Sequence, residues 1–135
     1  MATRKALGIL LVAATLAAFP LSQNAVAASY NGVCESSNGG EICLYDARDT
    51  TGRVYDTLYS KASYTGTYYG TDISIDNSIN STWNRDPDTT VWFFKGANYT
   101  GLSMGNSPGW KQNWSGAEGN AWSSHCFANN SACPG

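Results

Sequence analysis

Residues 94–101 read FKGANYTG, and this stretch decides how the chain is expected to fold. Phe94 and Tyr99 are aromatic residues separated by four others, and Gly101 follows the second ring by two positions. This spacing is typical of a strand that runs into a tight hairpin, because the chain can turn back between the rings and pack one against the other. Glycine at the third position tolerates a positive φ or a close backbone approach. The stretch therefore predicts a folded hairpin corner.

A second stretch repeats this pattern 49 residues earlier. Tyr45 aligns with Phe94 and Gly52 with Gly101, whereas Thr50 stands in the place of the second ring. We expect this first corner to be the looser of the two, because it lacks the ring contact. A short polar segment follows each corner in the same order: Asp76-Asn77-Ser78-Ile79-Asn80-Ser81 and Gly119-Asn120-Ala121-Trp122-Ser123-Ser124. Two matches in one order indicate an internal duplication.

Short strand-like runs separated by turn residues recur along the chain, and no stretch after the N-terminal segment has an amphipathic helical period. Such closely spaced runs are typical of an antiparallel sandwich or a small barrel. The sequence therefore predicts an all-β fold. The runs are EICLYD (41–46), GRVYDTL (52–58), GTYYGTD (66–72), ISIDNSI (73–79), TTVWFFK (89–95) and GLSMG (101–105).

The N-terminal segment has the three parts of a secretory signal peptide. Arg4 and Lys5 give it a positive start, an apolar run follows, and small residues stand at 25–27. The apolar run is shorter than the roughly 20 residues that a membrane span needs. We predict a signal peptide over residues 1–28, a single exported domain over residues 29–135, and no membrane contact after cleavage.

The predicted domain is acidic and small. Residues 29–135 carry six basic and ten acidic side chains, a formal net charge of −4, with no basic patch. This charge gives no indication of a nucleic-acid partner. A chain of this length buries only a modest core, so we expect additional covalent support.

Four cysteines provide that support. In an oxidising compartment they would form two disulfides. Cys34 and Cys43 enclose the flexible segment SSNGG, and Cys126 and Cys133 enclose ANNSA, so we predict pairing within each close pair. The alternative cross-links the two ends of the chain, which would close far longer loops and stabilise more in the chain-entropy model.

Together, the two corners and the two polar segments resemble the double Greek key of the βγ-crystallins. The start of the domain, CESSNGGEICLY at residues 34–45, is similar to that of secreted actinobacterial proteins grouped with the metalloproteinase inhibitors of inhibitor family thirty-six. The resemblance covers most of residues 32–126. It implies a βγ-crystallin-like Greek-key β-sandwich with two repeats, and a protein that inhibits proteinases.

In crystallins the polar segments can bind calcium through a side-chain oxygen of the fifth residue and neighbouring backbone carbonyls. Neutral oxygens are ordinary calcium ligands. Two positions depart from the crystallin pattern, since Asn80 replaces serine or threonine and Gly119 replaces aspartate or asparagine. The alternative is that these side chains bond the backbone in turns. The resemblance implies that no cofactor is required and that calcium is a candidate bound ion. The candidate calcium ligands are Asp76, Asn77, Asn80, Ser81, Asn120, Ser123 and Ser124.

Arrangements of catalytic residues are scarce in this sequence. His125 is the only histidine, so a His-Glu-x-x-His zinc site cannot be built and a Ser-His-Asp triad would depend on this one residue. We expect it to be a polar surface histidine beside a disulfide. Asp86 and Asp88 flank a proline and indicate a turn rather than a pair of glycosidase carboxylates. We therefore do not expect an enzyme.

Aromatic residues are numerous for a small domain, and they divide into two expected groups. Trp92, Phe94 and Trp122 lie on the strands of the motifs and are expected in the core. The others lie among Gly, Ser and Thr and are expected to be exposed, where rings could contact carbohydrate or protein. This exposed group is Tyr64, Tyr68, Tyr69, Trp110 and Trp114.

We expect a secreted, monomeric inhibitor of metalloproteinases that presents a rigid loop to the active-site cleft of an extracellular proteinase. Residues 60–71 and 104–118 are candidate loops, but neither has a signal for a scissile bond, so the inhibitory loop stays unassigned. Family inhibitors hold that loop with a nearby disulfide, whereas no cysteine lies between Cys43 and Cys126. The alternative is a calcium-binding, crystallin-like structural or carbohydrate-binding extracellular module.

Overall fold

The computed structural model describes residues 29–134, so the predicted signal peptide lies outside the described residues. Seven strands and one short 3-10 turn, Gly116–Glu118, make up the regular structure of this part of the chain. The all-β prediction is confirmed. The strands are β1 Ile42–Tyr45, β2 Val54–Thr57, β3 Ser81–Asn84, β4 Val91–Gly96, β5 Thr100–Asn106, β6 Lys111–Asn113 and β7 Ser124–Phe127.

The strands form two antiparallel sheets. The first sheet has the order β2-β1-β3-β6, and the second has the order β5-β4-β7. Cys43 lies opposite Trp83 in the first sheet, and Phe93 lies opposite His125 in the second. Strands β1 and β7, which carry Cys43 and Cys126, therefore belong to different sheets.

Each half of the chain contributes a segment to the other half's sheet. Strand β6 comes from the second half and pairs with β3 in the first sheet. In return, Lys61 from the first half forms an antiparallel bridge with His125 of β7, and the Tyr64 N–H donates to the Ser123 carbonyl at 2.9 Å. Each exchanged segment crosses to the other sheet, as in a Greek key. The chain makes this crossover twice.

The two predicted corners have matching backbone conformations. Asp49 and Thr50 have φ values of 59° and 55°, and the aligned Asn98 and Tyr99 have φ values of 55° and 59°. Gly101 has a φ of 81°, the left-handed conformation that glycine adopts most easily. The internal duplication is therefore visible in the backbone itself.

Side chains then distinguish the two corners. The rings of Phe94 and Tyr99 pack with their centroids 5.9 Å apart. The first corner has no equivalent ring pair. Asp46 there bonds the Arg53 side chain and accepts from its backbone N–H at 2.7 Å, so polar contacts replace the ring contact.

The core between the sheets is aromatic. The rings of Trp114 and Trp122 lie 4.9 Å apart, and Phe93 packs 5.5 Å from Trp114. Ile42, Leu44, Ile75, Ile79 and Val91 are fully buried around them. Residues from both halves share this one core.

Several aromatic expectations were wrong. Trp92 is 37% exposed because it alternates with the buried Phe93 and so points to the outer face of its sheet. Tyr64, Tyr68 and Trp114 are buried, since the loops that carry them fold over the core. Phe94 and Trp122 are buried and Tyr69 and Trp110 are exposed, as predicted.

The strand prediction also failed at two runs. Residues 66–72 and 73–79 form no named strand, and only Thr67 and Ser74 make an isolated bridge. Gly66 and Gly70 have positive φ values of 132° and 69°, which interrupt an extended backbone. Strands β3, β6 and β7 fell outside the predicted runs because their sequences, STWN, KQN and SHCF, have little apolar alternation.

Candidate functional site

The two disulfides join the cysteines that lie close together in sequence. Cys34 bonds Cys43, and Cys126 bonds Cys133. The two segments enclosed by these bonds, which are far apart in sequence, meet on one side of the molecule and line a single cleft. The sequence predicted the pairings but gave no sign that the two loops would meet.

We call this feature the disulfide-loop cleft. It has a volume of about 260 Å³. The first loop contributes Asn38 and its two following glycines, and the second contributes Phe127 and Asn129. Tyr59 and Asp86 complete the lining that matters for its chemistry.

Hydrogen bonds of the backbone N–H groups fix both loops to neighbouring segments of the chain. In the first loop the Arg85 N–H donates to the Glu41 carbonyl at 2.7 Å. In the second, the Phe127 N–H donates to Ser60 Oγ at 3.0 Å and the Ala128 N–H to the Thr90 carbonyl at 2.9 Å. Each disulfide loop is therefore hydrogen-bonded to a neighbouring part of the chain.

An aspartate turn forms the third wall. Asp86 Oδ1 accepts hydrogen bonds from the N–H groups of Asp88 and Thr89, each at 2.8 Å. This arrangement is the turn that the Asp-Pro-Asp sequence predicted. It holds a carboxylate, only 8% exposed, at the edge of the cleft.

A buried glutamate lies within the first disulfide loop. Glu41 is fully buried, and its Oε2 accepts from the Glu35 N–H at 2.8 Å, while Oε1 has no partner in residues 29–134. Burial, together with the negative charges of Asp56 and Glu35, raises the pKa of Glu41 to about 7 from its usual 4.5. Protonation of this group near neutral pH is therefore coupled to folding.

His125 is a core residue, contrary to the surface position that we expected. It is fully buried, with Nδ1 2.9 Å from the Tyr64 hydroxyl and Nε2 3.0 Å from the Tyr59 carbonyl. Burial, together with Lys61, lowers the pKa of His125 to about 4 despite the favourable Tyr59 contact. Sequence reasoning missed this because a histidine beside a cysteine carries no burial signal.

The two polar segments of the candidate calcium site lie side by side. The Asn77 N–H donates to the Trp122 carbonyl at 3.2 Å, and the Asn120 N–H donates to the Ile79 carbonyl at the same distance. Asn77 and Asn120 also share a left-handed backbone, with φ values of 52° and 54°. The structure therefore brings together segments that are far apart in sequence.

The last serine of each segment has a structural role in a corner. Ser124 Oγ donates to the Gly96 carbonyl at 2.7 Å and accepts from the Tyr99 N–H at 3.2 Å. Ser81 Oγ makes the equivalent pair with the Ala47 carbonyl and the Thr50 N–H. Both serines are fully buried, so their hydroxyls belong to the corners rather than to an ion.

Of the remaining residues, one pair suits calcium, with one residue from each segment. Asp76 Oδ1 lies 2.7 Å from Ser123 Oγ, which places a carboxylate and a hydroxyl oxygen together at the surface. At the equivalent pair of positions, the Asn80 amide donates to the Asp46 carbonyl at 2.8 Å, and Gly119 offers no side chain. Across residues 29–134, no three His, Cys, Asp or Glu side chains gather where they could hold a metal.

The two candidate inhibitory loops differ from free loops. Residues 60–71 contain the buried Tyr64 and Tyr68, which pin that stretch to the core. Residues 104–118 include the end of β5, all of β6 and the 3-10 turn. The disulfide-loop cleft is braced by two disulfides, whereas neither of these stretches contains a cysteine, and Tyr59 beside the cleft is 68% exposed.

The two sheets, the paired corners and the exchanged segments define the fold as a duplicated Greek-key sandwich of the βγ-crystallin type. A solved structure described under the evolution of the eye-lens βγ-crystallin domain fold has a TM-score of 0.57 and 17% identity, and covers 72% of this chain and 93% of its own. A βγ-crystallin from an archaeon has a TM-score of 0.51 and 20% identity, and covers 67% of this chain and 99% of its own. The predicted crystallin-like fold is confirmed.

The chain belongs to peptidase inhibitor family I36, whose family model matches residues 27–106. Membership supports a proteinase inhibitor as the function of the chain and a proteinase as its partner. A search of curated proteins found no match. No helix among residues 29–134 is long and apolar enough to cross a membrane.

Proposed function

We propose that the protein is a secreted, monomeric inhibitor of metalloproteinases that binds its target through the rim of the disulfide-loop cleft. The observation that supports this proposal is the meeting of two disulfide-closed loops, from opposite ends of the domain, on one exposed cleft. Family members hold the inhibitory loop with a nearby disulfide, and this rim is the surface with that support. Metalloproteinases are proposed as the target class because of the resemblance at residues 34–45.

Rigid loops suit inhibition for a physical reason. A loop that is already ordered loses little conformational entropy when it enters a proteinase cleft, so more of the contact energy appears as affinity. Tyr59 adds a large aromatic ring at the rim, and exposed tyrosines are frequent hot spots of protein interfaces. The two disulfides and the predicted signal peptide suit an extracellular location.

Inhibition assays test this proposal directly. Purified protein is titrated against a thermolysin-like metalloproteinase and a serine proteinase, and we expect inhibition of the first alone. Tyr59→Ala should weaken inhibition at least about tenfold, as removal of a hot spot does. Leu102→Ala serves as the matched control, because Leu102 is 56% exposed on β5 and does not line the cleft. Absence of inhibition of either class at micromolar concentration would sink the proposal.

A second candidate function is calcium binding, which the contact between Asp76 Oδ1 and Ser123 Oγ favours. Only this pair, with one residue from each segment, offers such oxygens, so the proposed site is single and weak. A ligand that binds only the folded protein raises its melting temperature. We expect millimolar calcium to raise the melting temperature relative to chelator, and Asp76→Asn to abolish the rise. An unchanged melting temperature would exclude this candidate.

A further inference from the structure

The disulfide-loop cleft contains a carboxylate oxygen that the fold does not use. Asp86 Oδ1 is occupied by the two backbone N–H groups of its turn. Asp86 Oδ2 has no hydrogen-bond partner among residues 29–134. This oxygen is nevertheless accessible to solvent. A side chain that is 92% buried therefore keeps one oxygen available to a ligand in the cleft.

No cation among residues 29–134 forms an ion pair with this carboxylate. The Arg85 guanidinium lies 4.1 Å from the centre of the Trp83 ring, and the Lys61 ammonium lies 5.6 Å from that of Tyr55. The single ion pair within residues 29–134 joins Arg53 to Asp46. The negative charge of the cleft is thus left for a partner to compensate.

The other walls suit a positively charged, planar group. The side chains of Asn38 and Asn129 make no hydrogen bond within the described part of the chain, so their amide oxygens can accept from a donor in the cleft. Tyr59, which is 68% exposed, provides an aromatic ring whose face attracts cations. Arginine carries several N–H donors in a flat group that can bond a carboxylate and stack on a ring at the same time.

We propose that the disulfide-loop cleft binds the guanidinium group of an arginine side chain, with Asp86 Oδ2 as the charged acceptor. The source of that arginine, a surface residue of the target proteinase, rests on the proposed function. The binding site itself does not, because it follows from the geometry of the cleft. A metal ion suits the cleft less well, since Asp86 is the only carboxylate in its lining.

A small-molecule titration tests the site without any proteinase. Backbone amide shifts of the ¹⁵N-labelled protein are followed by NMR as N-acetyl-arginine amide is added, and again with its neutral isostere, N-acetyl-citrulline amide. We expect the arginine compound to shift the amides of residues 38, 86 and 129 in a saturable way, and the citrulline compound to bind at least about tenfold more weakly. Equal affinity for the two compounds, or no shift with either, would overturn the proposal. This comparison uses the unmodified protein and needs no variant to fold.

Two substitutions then locate the charge. Asp86→Asn keeps the oxygen that closes the turn but removes the charge and replaces the acceptor Oδ2 with an NH2 donor, so we expect at least about a tenfold loss of arginine affinity. Asp88→Asn makes the same change of charge on an exposed neighbour outside the cleft lining, and should leave affinity within about twofold. Equal effects of the two substitutions would contradict a specific site. Arginine binding without proteinase inhibition would support the site and refute the proposed function, whereas inhibition that survives Asp86→Asn would overturn the insertion of an arginine of the proteinase.

Discussion

Replacing Glu41 with glutamine should change how the stability of this protein depends on pH. The pKa of Glu41 is about 7 in the folded protein and 4.5 without its surroundings. Between these values the folded state holds a proton that the unfolded state has lost, so the glutamate makes folding less favourable as pH rises. Each such proton changes the free energy of unfolding by about 1.4 kcal/mol per pH unit. Over this interval the wild-type protein should lose roughly 3 kcal/mol relative to Glu41→Gln.

His125 acts in the opposite direction over nearly the same interval. Its pKa is about 4 in the folded protein and 6.5 without its surroundings. Between these values the unfolded state binds a proton that the folded state does not bind. The free energy of unfolding therefore falls as pH falls from 6.5 towards 4. Between pH 4.5 and 6.5 the slopes due to Glu41 and His125 offset each other, and Glu41→Gln should expose the slope of the histidine.

Urea unfolding of the wild type and Glu41→Gln across this pH range gives the measurement. Other carboxylates cancel when the two free energies are subtracted at each pH. Glutamine keeps the oxygen that accepts from the Glu35 N–H, so the variant preserves that contact. Glu118→Gln removes the same charge from the 3-10 turn and reports the effect of charge alone. A difference between wild type and Glu41→Gln that is constant with pH would refute the reasoning.

Three further stability changes can be measured by urea unfolding in the same way. Ser124→Ala removes a buried hydroxyl with two backbone partners and should lower the free energy of unfolding by about 2–3 kcal/mol. The control Ser103→Ala, on the exposed strand β5, should leave stability nearly unchanged. Equal losses in the two variants would contradict the role of the corner serine. Tyr64→Phe leaves a ring nitrogen of the buried histidine without its partner and should cost about 1–3 kcal/mol; a change of a few tenths would show that this contact is weak. Gly40→Ala should lower the free energy of unfolding more than Gly39→Ala does. Both glycines have a positive φ, but only at Gly40 would the added Cβ clash with a backbone carbonyl oxygen. A similar loss in both variants would show that the backbone moves to accommodate the Cβ.

The duplicated corners could be predicted from sequence because their requirements are local. An aromatic residue, a left-handed turn and a glycine must follow one another at fixed intervals, so the pattern at Tyr45 and Gly52 repeats at Phe94 and Gly101. The disulfide pairing was predictable for the same reason, since each pair encloses a short flexible segment. Local geometry leaves a local signature.

The features that sequence reasoning missed depend on tertiary contacts. Burial of His125 and Tyr64 depends on a bridge between residues 61 and 125, which no spacing in the sequence reveals. The outward position of Trp92 depends on which side of β4 faces the core, and both sides of that strand carry aromatic residues. The cleft depends on two distant loops meeting, so its charged residue, Asp86, could be read only as part of a turn.

The segments exchanged between the halves make the two repeats dependent on each other. Neither sheet has its full complement of pairings without a piece from the other half of the chain. A single repeat cut out of this protein would have an open sheet edge and half of an aromatic core. Two copies of one repeat could fill those positions for each other, as the two halves of this chain do. Fusing two such copies would give a single chain with the exchanged pairings that this protein has.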